Sequence, residues 1–291
     1  MRILRQCFFS IPAHLQLVMA ASAVAYVESA CRIVLGRGAG VGWLCAAGFG
    51  TLGLYLLDGV RSADHEDAVS QPGRADICRR HRGVMSLSAI AALLVAGLGV
   101  WTSRPSVSGW LMLAGLAFLG LSHLLPILRR GGVWCTIKSL PLLKPLVISL
   151  AWLLGAFLVC HESVATGEAW SATRWSGFTV ATLPLLLLDS IWLDHRDRLA
   201  DVRFGRPSLF GSLAPGAFLR LRLLLFGLPV LSLLSPSVSF TWLSLFLLGA
   251  MGLVWWRPDR LRSEAARVWV AAGWRFTGLA GACLAAAVSP G

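Results

Sequence analysis

Charge is scarce in this chain: Asp, Glu, Lys and Arg together make up 14% of its 291 residues, and only 14 side chains are acidic. With 56% apolar residues and a mean hydropathy of +0.71, there is too little polar surface to cover a water-soluble globule. The composition excludes a soluble domain and specifies an integral membrane protein. Paired cysteines are missing too. Cys7, Cys31, Cys45, Cys78, Cys135, Cys160 and Cys283 include no Cys-x-x-Cys pair, and most lie in apolar runs where a thiol acts as a small hydrophobe. Neither a disulfide framework nor a zinc site is expected. No cleavable leader is expected either: Met1–Arg5 is basic, but the next segment carries His14, Gln16, Glu28 and Arg32 and lacks a small-residue cleavage site, so it reads as retained.

Long apolar runs are abundant. About 20 residues span the roughly 30 Å of bilayer hydrocarbon, and nine windows qualify: 11–34, 40–57, 84–102, 108–127, 140–160, 176–193, 215–234, 237–256 and 267–288. Pro215, Gly216, Pro229 and Pro236 interrupt the later ones, which packed membrane helices tolerate and which blurs their ends. No separate soluble domain fits between the windows. Residues 1–291 therefore read as one all-α polytopic domain, about nine transmembrane helices in a single bundle around a central cavity.

Orientation follows from Lys and Arg, because basic loops stay on the cytoplasmic side. With the N-terminus inside, the even-numbered loops gather Arg61, Arg74, Arg79, Arg80 and Arg82, then Arg129, Arg130 and Lys138, then Arg196, Arg198, Arg203 and Arg206, then Arg257, Arg260, Arg262 and Arg267. The odd-numbered loops hold Arg37, Arg104 and Arg174. The expectation is a cytoplasmic (inner) membrane protein with its N-terminus inside and its C-terminus outside. The net charge of +12 is then a topology signal and an attraction to anionic headgroups, so membrane lipids rather than nucleic acid are the expected surroundings.

Against this background, two acidic clusters stand out. Asp58, Asp64, Glu66 and Asp67 follow the second window, and Asp189, Asp194, Asp197 and Asp201 close the sixth. A carboxylate near a bilayer is costly unless it meets water, a metal or a counter-ion, which makes each cluster a functional-site hypothesis. At about 100° per residue, Asp194, Asp197 and Asp201 fall within about 60° on a helix, while Asp189 points elsewhere; Asp64 and Asp67 share a face. A solvated helix end with arginine partners would explain either cluster alone. Two clusters on the same side, each ringed by arginines, favour a shared site.

Carboxylates and arginines together suit a metal-bound phosphate. Mg²⁺ prefers oxygen ligands and usually binds through one or two carboxylates plus substrate phosphate, while Arg and Lys donate to phosphate oxygens. A diphosphate bridged between two such sets becomes a good leaving group. An apolar cavity would hold a lipid tail, and Tyr55, Trp152 or Trp192 could face an allylic cation.

The stretch Tyr55-Leu-Leu-Asp58-Gly-Val-Arg61-Ser-Ala-Asp64-His-Glu-Asp67, with its trailing basic loop from Arg74 to Arg82, resembles the first motif of the UbiA-type intramembrane prenyltransferase superfamily. Asp194-His-Arg-Asp197-Arg-Leu-Ala-Asp201-Val-Arg-Phe-Gly205-Arg-Pro-Ser-Leu is similar to the second. The second matches better, since the family's first motif opens on Asn and Ser62 stands where its next Asp would fall. The resemblance covers nearly the whole chain. It implies Mg²⁺-dependent transfer of a prenyl group from a polyprenyl diphosphate to an aromatic or other acceptor. It also implies Asp64, Asp67, Asp197 and Asp201 as catalytic metal ligands, with Asp58 and Asp194 completing the metal set. Arg61, Arg74, Lys144 and Tyr55 would contact the substrate.

Three other functions compete. A non-catalytic isoprenoid-binding protein would show a degraded first motif. A CDP-alcohol phosphotransferase shares Asp58-Gly59 but lacks its Ala-Arg pair at Ser62 and Ala63 and has Arg80 in place of its last Asp. A transporter predicts charges near the midplane. Elsewhere, Glu28 and Arg32, four apart, read as an intrahelical ion pair, His123 as a hydrogen-bonded helix contact or a phosphate contact, and Trp101, Trp134, Trp170, Trp175, Trp255 and Trp256 as an interfacial belt.

Overall fold

A computed structural model of the protein describes residues 16–64, 66–126, 128–130, 133–136, 140, 143–164, 171–203, 213–232, 240–256, 261 and 263–288. The described chain is a helical bundle. Its elements run α1 (Leu17–Leu35), α2 (Val41–Ser62), α3 (Glu66–Ser70), α4 (Pro72–Arg80), α5 (Arg82–Ser103), α6 (Val107–Leu124), a hairpin of β1 (Leu128–Arg130) and β2 (Val133–Cys135), α7 (Leu143–Val164), α8 (Ala172–Arg203), α9 (Pro215–Ser232), α10 (Phe240–Trp255) and α11 (Glu264–Val288). Among the described residues, eight helices are long and apolar enough to cross a membrane. The ninth expected span is α10, apolar but only 16 residues long, or about 24 Å at 1.5 Å per residue.

This short apolar helix ends on side-chain donors. The last carbonyls of a helix have no partner within it. Here Arg222 on α9 donates to the carbonyls of Leu253 and Trp256 at 3.1 and 3.0 Å, and the indole N–H of Trp192 on α8 reaches the Trp256 carbonyl at 2.9 Å. Arg222 is itself buried with its guanidinium 4.7 Å from the Phe218 ring, and Phe218 stacks on His195 at 3.9 Å. A polar helix end is thus satisfied inside the bundle.

The core sits around α8, whose apolar residues Phe178, Leu185, Leu188 and Trp192 pack with Tyr26 of α1, Ala156 of α7, Trp242 and Phe246 of α10 and Trp274 of α11. By contrast α5 and α6 leave wide apolar faces exposed, including Leu87, Leu94, Leu98, Leu111 and Phe118, as lipid-facing helices do. Small residues bring α2 and α5 together. A Cβ on Gly99 would stand 2.5 Å from the Gly42 carbonyl oxygen and 3.1 Å from the Ala46 nitrogen, backbone atoms that cannot swing aside. Gly99→Ala is therefore expected to cost about 1–3 kcal/mol by overpacking, read as a thermal shift in detergent. Gly97→Ala, with nothing within 4 Å of its Cβ, serves as the neutral comparison.

The opposite ends of the helices carry their own clasps. Glu28 accepts from Arg32 at 2.7 Å and from the Ala39 amide at 2.8 Å, closing the α1–α2 turn after the positive-φ Gly36. Glu162 of α7 accepts from the amide and hydroxyl of Ser106, both at 2.7 Å, at the start of α6. The Glu28–Arg32 pair expected from the spacing is present.

A candidate diphosphate-binding cavity

The two acidic clusters meet. A cavity of about 360 Å³ is bounded by Tyr55, Asp58, Asp67, Gln71 and Arg74 on one side and Lys144, Asp189, Ser190, Asp194 and Asp197 on the other. Beyond this polar end its walls are apolar: Val27, Ala47, Leu54, Leu116, Leu119, Val147, Ile148, Ala151 and Trp152. It is an amphipathic basin in a protein whose acidic residues are few.

The first side is built by a reversal of the chain. After α2, the short helices α3 and α4 fold back so that Arg74 lies over the end of α2. Arg74 is within 3.1 Å of Asp67 and 3.7 Å of Asp58, and it donates to the Tyr55 carbonyl at 2.7 Å. Gly59 leaves room for this approach, since a Cβ there would lie 2.8 Å from an Arg74 guanidinium nitrogen and displace it. Asp67 is nearly buried, accepts from the Ser62 hydroxyl at 2.7 Å and from the Gln71 amide at 3.4 Å. Burial raises the Asp67 carboxyl above its ordinary value, Asp58 and Asp197 add to this, and Arg74 and Ser62 oppose it. Burial likewise raises the Cys78 thiol, which packs with Ala63 and Ala75 beneath Arg74.

The second side is one stripe of α8. Taking about 100° per residue, Asp189, Leu193, Asp197, Ser190 and Asp194 cover an arc of about 140°, with Asp189 and Asp194 at its two edges. The expectation that Asp189 points elsewhere is corrected: it lines the same cavity, because the basin is as wide as the arc. Lys144 of α7 sits 3.2 Å from Asp194 and 3.9 Å from Asp197. Asp194 is fully buried, and neither of its oxygens has a hydrogen-bond partner among the described residues beyond that ion pair. Asp189 pairs with Arg275 of α11, whose guanidinium lies 4.1 Å from the Trp152 ring and 4.7 Å from the Trp274 ring.

Two expected site residues lie elsewhere. Asp64 is half-exposed and pairs with the exposed Arg82 at 3.3 Å, because the turn after α2 carries it away from Asp67 rather than continuing one helical face. Arg61 donates to the Leu124 carbonyl at the end of α6, which spends its head group on a helix end. The Asp201 backbone continues α8, but its side chain lies outside the described residues. The sequence reading missed Arg275, Gln71 and the α3–α4 fold-back. A lone arginine in an apolar span with no acid three or four residues away was the available signal, since such a charge requires a partner from another helix.

No family model, curated protein or solved structure matches this chain. What the cavity can do is read from its own residues.

Its donor set is compatible with Mg²⁺. Among the described residues no three His, Cys, Asp or Glu side chains gather tightly enough to form a metal cage, yet Mg²⁺ typically uses only one or two protein carboxylates and takes the rest from water and phosphate. Five lining carboxylates (Asp58, Asp67, Asp189, Asp194, Asp197) face two lining cations (Arg74, Lys144); Arg275 neutralises Asp189 from outside the lining, and among the described residues the buried Asp194 carboxylate has the Lys144 ion pair and no further hydrogen-bond donor. That surplus of negative charge suits a hard cation.

Proposed function

We propose that the protein is a UbiA-like, Mg²⁺-dependent prenyltransferase of the cytoplasmic membrane, moving a prenyl group from a polyprenyl diphosphate to an aromatic or other lipid-pathway acceptor. The observation that carries this reading is the convergence of two acidic clusters, 127 positions apart between Asp67 and Asp194, on one basin with apolar walls. A diphosphate alone would be repelled by the lining carboxylates; with Mg²⁺ the charges complement each other. When bound, the metal would supply neutralisation of the diphosphate as its C–O bond breaks.

The chain's own residues would do the rest. Asp58, Asp67, Asp194 and Asp197 hold the cation, and Arg74 and Lys144 exchange part of their carboxylate contact for phosphate oxygens. Leu54, Leu116, Val147 and Ile148 enclose the tail and keep water from the reacting carbon, while Tyr55 would offer a π face to positive charge and Trp152 already holds the Arg275 guanidinium. The test is release or transfer of label from geranylgeranyl diphosphate by purified protein with and without Mg²⁺. Asp197→Ala is expected to reduce Mg²⁺-dependent turnover about 10²-fold or more; turnover at the wild-type rate removes Asp197 from the mechanism.

A second reading has one observation in its favour. Each lining carboxylate is held by an arginine or lysine, which suits a protein that binds an isoprenoid without turning it over. Saturable binding of the same diphosphate with no product would select that reading.

A further inference from the structure

Beyond the cavity wall, one carboxylate from far along the chain grips the segment that carries Arg74. We propose that Glu264 is a positioning residue for the site: it latches α4 in place and thereby holds Arg74 and Asp67 in the wall of the cavity.

Helix α4 begins without a cap of its own. Gln71 precedes it with no side-chain hydrogen bond to the first turn, and Pro72 contributes no N–H. Exposed amides at a helix start need acceptors, and Glu264 provides both: its Oε1 accepts from the Gly73 amide at 2.9 Å and its Oε2 from the Arg74 amide at 3.3 Å. The same carboxylate is the first residue of α11, so it lies against the positive ends of two helices at once. The residue whose amide is gripped is the one whose guanidinium binds Asp58, Asp67 and the Tyr55 carbonyl. Arg74 is therefore fixed at both ends, its backbone by α11 and its head group by α2 and α3. Releasing the backbone end loosens the start of α4, leaving it held by the guanidinium cluster and by the packing of Ala75 and Cys78 against Ala63.

Cys78 reports this motion. It is 4% exposed, packed between α4 and Ala63 with Gly59 beside it, and it gains access to water only if α4 moves away. The experiment is the rate of N-ethylmaleimide labelling at Cys78, resolved by peptide mass spectrometry on the full-length protein in detergent, with Cys283 as the exposed comparison. Glu264→Gln places an NH₂ group against one of the two amides, and Glu264→Asp withdraws the carboxylate by one methylene. Each is expected to raise the Cys78 rate about tenfold, equivalent to ~1.4 kcal/mol, with Cys283 unchanged. Gly73→Pro removes one donor without touching Glu264, in a first turn where proline is tolerated, and is expected to act in the same direction; it keeps the test sound if a Glu264 variant does not fold. Wild-type labelling rates in folded Glu264→Gln and Gly73→Pro proteins overturn the latch.

The latch stands apart from the proposed chemistry, because these rates are read with no ligand present. Adding Mg²⁺ with inorganic pyrophosphate then addresses the site: slower Cys78 labelling in the wild type, with less slowing in Glu264→Gln, supports Glu264 acting through Arg74 on the anion. Equal protection in both proteins overturns that coupling. Absence of protection in the wild type counts against the diphosphate reading while leaving the latch result intact.

Discussion

Arg74→Leu is expected to lower the unfolding free energy by about 3–5 kcal/mol at neutral pH, the usual cost of deleting one partner from a buried ion cluster. The guanidinium is 5% exposed, bridges Asp67 and Asp58 and satisfies the Tyr55 carbonyl, so its loss leaves two carboxylates near each other and a carbonyl without its donor. Part of the loss should return on acidification. In the folded protein the Asp67 carboxyl is already raised above its ordinary value of 3.8 by burial, with Arg74 pulling it back; without Arg74 it rises further. A carboxyl that binds its proton more tightly folded than unfolded gains stability as pH falls through the folded pKa, and that gain is complete below the unfolded value. Thermal melts of Arg74→Leu between pH 7.5 and 5 should therefore converge toward wild type as the pH drops. A gap that stays constant or widens across that range would show that Asp67 does not carry the freed charge.

The Asp189–Arg275 pair produces the second large effect. Both side chains are almost entirely buried between α8 and α11, and Arg275 also lies against the Trp152 and Trp274 rings and donates to the Ala271 carbonyl. Asp189→Leu or Arg275→Met alone leaves an uncompensated charge inside the bundle and should cost about 3–5 kcal/mol. The double variant Asp189→Leu/Arg275→Met should recover most of this, since matched apolar replacements of buried pairs are often neutral or stabilising. The double-mutant cycle on detergent melting temperatures isolates the coupling. Additive losses in the double variant would mean that the two side chains are held by their surroundings rather than by each other.

The membrane architecture was legible because periodic burial is irrelevant to a helix surrounded by lipid: length and apolarity alone located the spans. The window 40–57 corresponds to Val41–Ser62, 84–102 to Arg82–Ser103 and 215–234 to Pro215–Ser232. The largest boundary error is at α8, expected over 176–193 and observed as Ala172–Arg203. Its end was cut short because Asp194, His195 and Asp197 look like loop residues by hydropathy, although they continue the helix into the cavity wall. The β-hairpin at Leu128–Cys135 and the helices α3 and α4 were invisible for the same reason, since none of them is an apolar run.

The site was legible in part. Tyr55, Asp58, Asp67, Arg74, Lys144, Asp194 and Asp197 all reach one cavity, and what marked them was charge beside long apolar segments. Asp64 and Arg61 share that marker, yet their side chains turn to Arg82 and to the end of α6. Which way a turn throws a side chain depends on the path between α2 and α3, and hydropathy does not encode that path. Arg275 and Glu264 were missed because their partners lie 86 and about 190 positions away.

The position of Glu264 has a consequence for biogenesis. Ribosomes deliver this residue after α1 through α10 have already been synthesised, and the same last helix brings Val268 and Ala271 to the basin wall and Arg275 to Asp189. The basin is therefore completed last in the described fold, and a chain halted before α11 would carry Asp189 without its buried partner and α4 without its latch.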